Sequence, residues 1–200
     1  MAGDYGGVGV IKKEDMRVVK TKNALLDSFF ELLAQKTYEE ITVNELCQVA
    51  GVRRATFYKH FEDKSDFLFK TVKTLREKFD RTVWKKDAPV TTKEYYVTYV
   101  RELVCYVDEH FMAAKNVLQS SIKENIVHII AAQNYEETKK RLEVSVKRGI
   151  TLPASVEATS LMLVGGVSQV LIDWIAKDRK NSAEFISSEI AALVSALIKD

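Results

Sequence analysis

Apolar positions recur at helical spacing along most of this 200-residue chain. Over residues 17–35, Val18, Val19, Leu25, Leu26, Phe29, Phe30, Leu32 and Leu33 follow the 3.6-residue period and predict a first helix. Leu46, Val49 and Ala50 repeat the i, i+3, i+4 pattern over a shorter span, and Ala55, Phe57, Tyr58 and Phe61 supply apolar bulk to another short helix directly after it. A longer run over residues 64–85, opened by Asp63 as cap, sets Phe67, Leu68, Val72, Leu75 and Phe79 on its buried side. Beyond a break at Pro89, further helices are predicted over residues 91–111, from Ser121 through Ile126, Ile129 and Ile130, and over residues 154–176 after Pro153. A last one carries Ile186, Ile190, Leu193, Val194 and Leu197 as a stripe. Leu142, Val144 and Val146 alternate with period two, but a lone strand would have no sheet to join, so residues 135–149 are read as helix as well.

End signals sharpen this reading. Thr42 stands three residues before Glu45, the spacing of a capping box, and Ile41 with Leu46 makes the matching hydrophobic staple. Gly51 supplies the residue that enters the left-handed region without steric cost at a helix C-terminus, and Val52 can pack back on the helix just ended. Thr91 with Glu94, Ser121 with Glu124 and Asn181 with Glu184 repeat the capping signal. Two short helices around a glycine turn, the second presenting Arg54, Thr56, Lys59 and His60 outward, form a helix-turn-helix. Arginine and lysine can donate to guanine edges or neutralise phosphate, threonine can bond phosphate or meet a thymine methyl, and tyrosine and histidine can reach backbone oxygens.

Composition agrees with an all-α fold: 46% of residues are hydrophobic, and the two prolines and eight glycines, four of the latter within the first nine residues, leave long uninterrupted stretches. The formal net charge of +2 does not by itself announce a nucleic-acid binder, but the charge is segregated. Lys12, Lys13, Arg17, Lys20 and Lys22 outnumber Glu14 and Asp15, residues 23–45 are acidic with Lys36 alone against five carboxylates, and Arg53, Arg54, Lys59 and Lys64 restore positive charge. The basic N-terminal segment suits a DNA backbone or minor groove, and equally a merely solvated tail. Cys47 and Cys105 are isolated and predict a reduced, cytoplasmic compartment; no paired metal-ligand spacing occurs, so no metal or cofactor is expected. The stretch between Glu157 and Asp173 falls short of a membrane span, and the start MAGDYGGVGV lacks the cationic region of a signal peptide.

The string ITVNELCQVAGVRRATFYKHFEDKSDFL, with its AGV turn, TFYKHF core and Lys64 opening the next helix, resembles the tetracycline-repressor (TetR) family of bacterial transcription regulators. The resemblance covers residues 17–70 and thereafter only helical character and length. The glycine-rich start predicts a disordered tail over residues 1–13, and the resemblance implies a three-helix DNA-binding head over 14–63 and a larger helical effector-binding and dimerisation domain over 64–200. It further implies DNA contacts, mostly to phosphates, at Thr42, Arg53, Arg54, Thr56, Tyr58, Lys59, His60 and Lys64. Arg53 departs from the serine or threonine usual at the recognition-helix cap; it cannot accept the amide hydrogen bond, a loss of up to about 1 kcal/mol, but can add a phosphate contact.

The resemblance implies an effector pocket on the middle helices, where Trp84, Tyr95, Tyr99, Tyr106, Phe111 and His128 lie; aromatics with polar tips suit a mostly apolar cavity, but aromatics at helical spacing also serve as plain core. The resemblance also implies a dimer interface on the last two helices, at Leu161, Gly165, Ser168, Ile172, Ile186, Ile190, Leu193 and Leu197, where small residues in an apolar helix and the final stripe suit a four-helix bundle; both helices filling the monomer core is the alternative. The resulting expectation is a homodimeric regulator of double-stranded DNA, a repressor released from its operator by a small molecule, with no membrane partner. The alternative is a DNA-binding co-activator or nucleoid-associated factor of the same fold controlled by a protein partner. No nucleophile with base and orienter and no phosphate-binding glycine loop point to an enzyme.

Overall fold

The computed structural model describes residues 16–85 and 91–199, without the side chains of 77, 78 and 80–85; the expected tail and the break at Pro89 lie outside these residues. Helices α1 (Met16–Leu33), α2 (Val43–Val49) and α3 (Arg54–His60) form the head, and α4 (Lys64–Lys85) leads into a body of α5 (Thr92–Glu109), α6 (Phe111–Gln119), α7 (Lys123–Lys147), α8 (Val156–Ala176) and α9 (Ala183–Leu197). The period-two stretch is continuous helix within α7. No strand occurs among the described residues; a lone bridge pairs Thr151 with Lys199.

The helix ends show how local chemistry sets the head. Thr42 Oγ1 accepts from the Glu45 amide at 3.1 Å, while the Glu45 carboxylate pairs with Lys36, which holds its pKa below the usual range. Gly51 takes φ +63°, and the bonds Val52 N to Cys47 O (2.9 Å) and Gly51 N to Gln48 O (3.2 Å) complete a Schellman turn. Phe57, fully buried, meets Phe61 and Phe67 with centroids 5.2 and 5.7 Å apart, and Phe29 closes on Phe67 at 5.3 Å. Cys47 is buried in the same core, which pushes its thiol pKa up.

Three sequence expectations are corrected. Ser121 does not cap α7, whose cap position is Ile122 without a side-chain bond. Instead the Ser121 amide donates to Glu39 Oε1 at 2.7 Å, its hydroxyl bonds the same oxygen, and Ser120 Oγ accepts from the Tyr38 amide at 3.0 Å. With Asn116 Nδ2 donating to Leu33 O at 2.7 Å, these bonds tie the α6–α7 corner to the head. The α9 cap is Ser182, one residue later than expected, whose Oγ accepts from the Phe185 amide at 3.2 Å, while the backbone carbonyl of Asn181 accepts from Trp174 Nε1 at 2.9 Å. Finally, α8 is by length and composition long and apolar enough to cross a membrane, with a mean hydropathy of 1.4 over its window, contrary to the expectation from its uncharged stretch. Here it packs on α6, α7 and α9 as a bundle helix, with Leu163, Leu171, Trp174 and Ile175 inward.

The seam is acid-sensitive in a stated direction. The Ser121 hydroxyl bond, above all, lowers the Glu39 pKa from 4.5 to about 2. A carboxylate depressed on folding stabilises above its unfolded pKa, and that contribution is lost as pH falls through its folded value. Glu39→Gln should therefore lower urea stability at neutral pH, and the gap from the parent should close between about 4.5 and 2. A gap that persists unchanged at pH 2 would remove Glu39 ionisation from the seam.

Candidate nucleic-acid interface

The second helix of the motif is fastened by its aromatic side and open on the other. Phe57 and Phe61 anchor it, whereas Ala55 and Tyr58, expected among its apolar bulk, are exposed; Tyr58 is 48% accessible. Arg53, Arg54, Tyr58 and Lys59 share the exposed surface, with Thr56 and His60 half-buried beside them. The Arg54 guanidinium lies 5.8 Å from the Tyr58 ring centroid, which orients both side chains on one face. Arg53 is the α3 cap residue, extended at φ −69° and ψ 139°, with no side-chain cap bond. Its guanidinium is thus not consumed in capping. Thr42 Oγ1 is used as an acceptor, which leaves its own O–H to donate, the form a phosphate oxygen requires.

Lys64 has a role the sequence did not reveal. Its ammonium donates to Tyr38 O and Ile41 O, both at 2.8 Å, and sits 4.0 Å from the Tyr38 ring centroid. Burial lowers its pKa. Two of its three donors therefore staple α4 to the loop before α2, and a phosphate contact would have only the third. The signal was invisible locally because the partners are backbone carbonyls 26 and 23 residues away.

The expected effector residues do not form one group. Tyr95 and Tyr99 line a body cavity of about 50 Å³ with Arg76, Asn134 and Arg141, but Tyr106 lines a separate cleft against the head. Phe111 is buried under the Arg179 guanidinium, 4.1 Å from its ring centroid, and lines neither space. His128 is exposed on α7 and also lines neither; the Trp84 side chain lies outside the described residues. Arg76 of α4 bonds Asn134 of α7, and the Arg141 guanidinium stacks 3.9 Å from the Tyr95 centroid. Asn134, Glu137, Thr138 and Arg141 all line the cavity at spacing i, i+3, i+4, i+7, a polar stripe on α7 that helical periodicity alone could have found.

The expected dimer residues divide as well. Ile186 and Ile190 are buried against the body core, so they are not available to a partner, because the inner face of α9 is spent on α5. Leu193 is 63% and Leu161 60% accessible, beside exposed Met162, while Ser168, Ile172 and Leu197 are half-buried. Gly165 and Gly166 are exposed, with open space where a Cβ would stand.

Comparison with known proteins agrees with this arrangement. The family described as bacterial regulatory proteins, tetR family, matches residues 25–71. The helix-turn-helix-type transcriptional regulator YxbF of Bacillus subtilis (strain 168) is 41% identical over 58 residues, 28% of this chain and 15% of YxbF, so the chain spans about a seventh of that relative's length. A Rhodococcus sp. structure assigned to the TetR family superposes with a TM-score of 0.76 at 17% identity, over 90% of this chain and all of the other. The FadR regulator of Bacillus subtilis, in complex with stearoyl-CoA, does so with a TM-score of 0.65 at 20% identity, over 86% and 96%. Residues 25–71 thus carry the helix-turn-helix of bacterial tetR-type regulatory proteins, and the chain as a whole has the fold of TetR-family structures.

Proposed function

We propose that the protein is a homodimeric DNA-binding repressor, cytoplasmic, and released from its operator by a small molecule. The observation that carries this reading is the exposed Arg53, Arg54, Tyr58 and Lys59 surface on a helix anchored by Phe57 and Phe61. Thr42, Thr56, His60 and the third Lys64 donor complete the proposed contact set. Most of these groups suit phosphate, and Arg54 and Lys59 also suit guanine edges. The head spans residues 14–63 and the effector and dimerisation domain residues 64–200.

Dimerisation uses the outward faces of α8 and α9, where Leu161, Met162, Gly165 and Leu193 lie exposed. Two mid-helix glycines cost roughly 1 kcal/mol each relative to alanine, and since nothing within the subunit approaches them, a symmetry mate is the element that can pack there. Two heads in one dimer then meet half-sites about 34 Å apart.

Release works through α4. At about 50 Å³ the body cavity holds no more than a few waters, so an effector must part its walls, and the Arg76 to Asn134 bond between α4 and α7 lies in its path. FadR, of like fold, is a protein known with a small molecule bound, and this supports a body of this fold as a ligand-binding one. An effector that prefers the parted state by about 1–3 kcal/mol weakens DNA affinity roughly 5- to 150-fold.

Sequencing of genomic fragments bound by the purified protein tests the reading. The parent should recover a small set of two-fold symmetric sites, and Leu193→Asp, which places a charge in the proposed interface, should sediment as a monomer and recover none. Sequence-independent binding, or a Leu193→Asp protein that remains dimeric, would sink it.

A further inference from the structure

We propose that Arg179, in the loop between α8 and α9, is a positioning residue for DNA binding: it clamps that loop to the α5–α6 corner and so fixes the separation of the two recognition helices in the dimer. The α8 C-terminus closes as a Schellman turn, with Asp178 N donating to Ile175 O and Arg179 N to Trp174 O, both at 3.1 Å. Glycine usually supplies the left-handed residue of such a turn, but here Asp178 takes φ 52° and Arg179 φ 55°. Aspartate tolerates that region, whereas arginine enters it at a steric cost, so contacts outside the turn must hold it there.

Those contacts lie on other helices. The Arg179 guanidinium donates to Asp108 Oδ1 at 2.8 Å and lies 4.1 Å from the Phe111 ring centroid, while Lys115 pairs with Asp178. An exposed ion pair by itself contributes little. A guanidinium held at one edge by a carboxylate and stacked on a buried ring is confined to a single geometry. Asp108 stands in the last turn of α5, Phe111 opens α6, and Lys115 follows one turn later on the same face.

Helix α6 reaches the head from another face. Asn116 Nδ2 donates to Leu33 O at 2.7 Å, and Ser120 Oγ, four residues on, accepts from the Tyr38 amide at 3.0 Å. At the corner itself His110 packs against Phe30 of α1, with centroids 5.3 Å apart. This nine-residue helix is therefore a strut between the head and the α8–α9 loop. In a dimer formed through α8 and α9, a clamp between loop and strut sets where each head stands relative to the two-fold axis. The effect on half-site spacing rests on the dimeric DNA-binding reading above; the clamp itself does not.

Arg179→Gly removes the guanidinium and gives the backbone the residue that its φ favours, and Arg179→Asn, which also tolerates that region, controls for the flexibility of glycine. Both should remain folded dimers. A spin label at exposed Gln48→Cys, in a Cys105→Ser background with Cys47 buried, reads the distance between the two heads without DNA. Its distribution should be narrow with Arg179 present and about twofold broader in both variants. On operators whose half-sites are moved by one base pair, the affinity of the parent should fall about tenfold and that of the variants about threefold or less. Unchanged distances, unchanged spacing discrimination, or broadening with glycine alone would overturn the role of Arg179. A monomeric parent would overturn it together with the dimeric reading, whereas broadening in both variants of a protein that selects no two-fold symmetric site supports the clamp and counts against the repressor reading.

Discussion

Phe57→Ala is expected to unfold the head while the body remains folded. Phe57 is fully buried, and its ring is the meeting point of α3 with Phe61 and with Phe67 of α4. Removing a buried phenyl ring costs about 3–5 kcal/mol, because transfer energy is lost and the cavity collapses only in part. That is a large fraction of the roughly 5–15 kcal/mol that stabilises a typical domain. The body has a separate core built on Tyr96, Val104, Leu142 and Trp174, which does not include Phe57. Cys47, buried in the head core, reports the event directly: its alkylation should accelerate by about two to nearly four orders of magnitude if alkylation follows the opening equilibrium. A destabilisation under about 1 kcal/mol would mean that the aromatic cluster does not hold α3.

The second large effect is expected from Arg54→Ala with Lys59→Ala. Both side chains are exposed and neither packs in the core, so the melting temperature should change little. DNA affinity should fall steeply. A base-reading arginine is worth about 1–3 kcal/mol per head, so a dimer loses about 2–6 kcal/mol, roughly thirtyfold to twenty-five-thousandfold. Each lysine or arginine that instead neutralises a phosphate contributes about 0.9 to the salt slope per head. Lys64→Gln should behave differently: it breaks the bonds to Tyr38 O and Ile41 O, so stability falls by roughly 1–3 kcal/mol alongside any loss of affinity. Operator titration at several salt concentrations, paired with thermal melts, separates the two patterns. An unchanged affinity of the Arg54 and Lys59 double variant would remove α3 from the contact surface.

The contrast between these residues shows where sequence reading stops. Thr42, Gly51 and Thr91 were legible because each bonds within a few residues of itself, and the chain alone contains donor, acceptor and spacing. Ser121 carried the same capping signal as Thr91, yet Glu39, 82 residues away, claims it. A hydroxyl makes whichever bond the packed structure offers, and a capping motif reports only the local option. Tyr58 likewise counts as apolar bulk in a periodicity but stands exposed, because Phe57 and Phe61 already fill the space below α3.

The helices beyond the head were legible as helices but not as surfaces. The α9 stripe of Ile186, Ile190, Leu193 and Leu197 is wider than one contact: the structure turns Ile186 and Ile190 inward and leaves Leu193 outside. In α8 apolar residues surround the axis, so periodicity cannot choose which face meets the bundle. The sequence by itself determined the all-helical class, the glycine-stopped helix-turn-helix and the cationic character of its outer helix, because these depend on backbone bonds and periodicities that close over a few residues. Only the tertiary structure decided which apolar face is core, which hydroxyls latch head to body, and which polar and aromatic residues of separate helices line a common cavity. Those outcomes are set by contacts between residues tens of positions apart, for which local spacing carries no energy term.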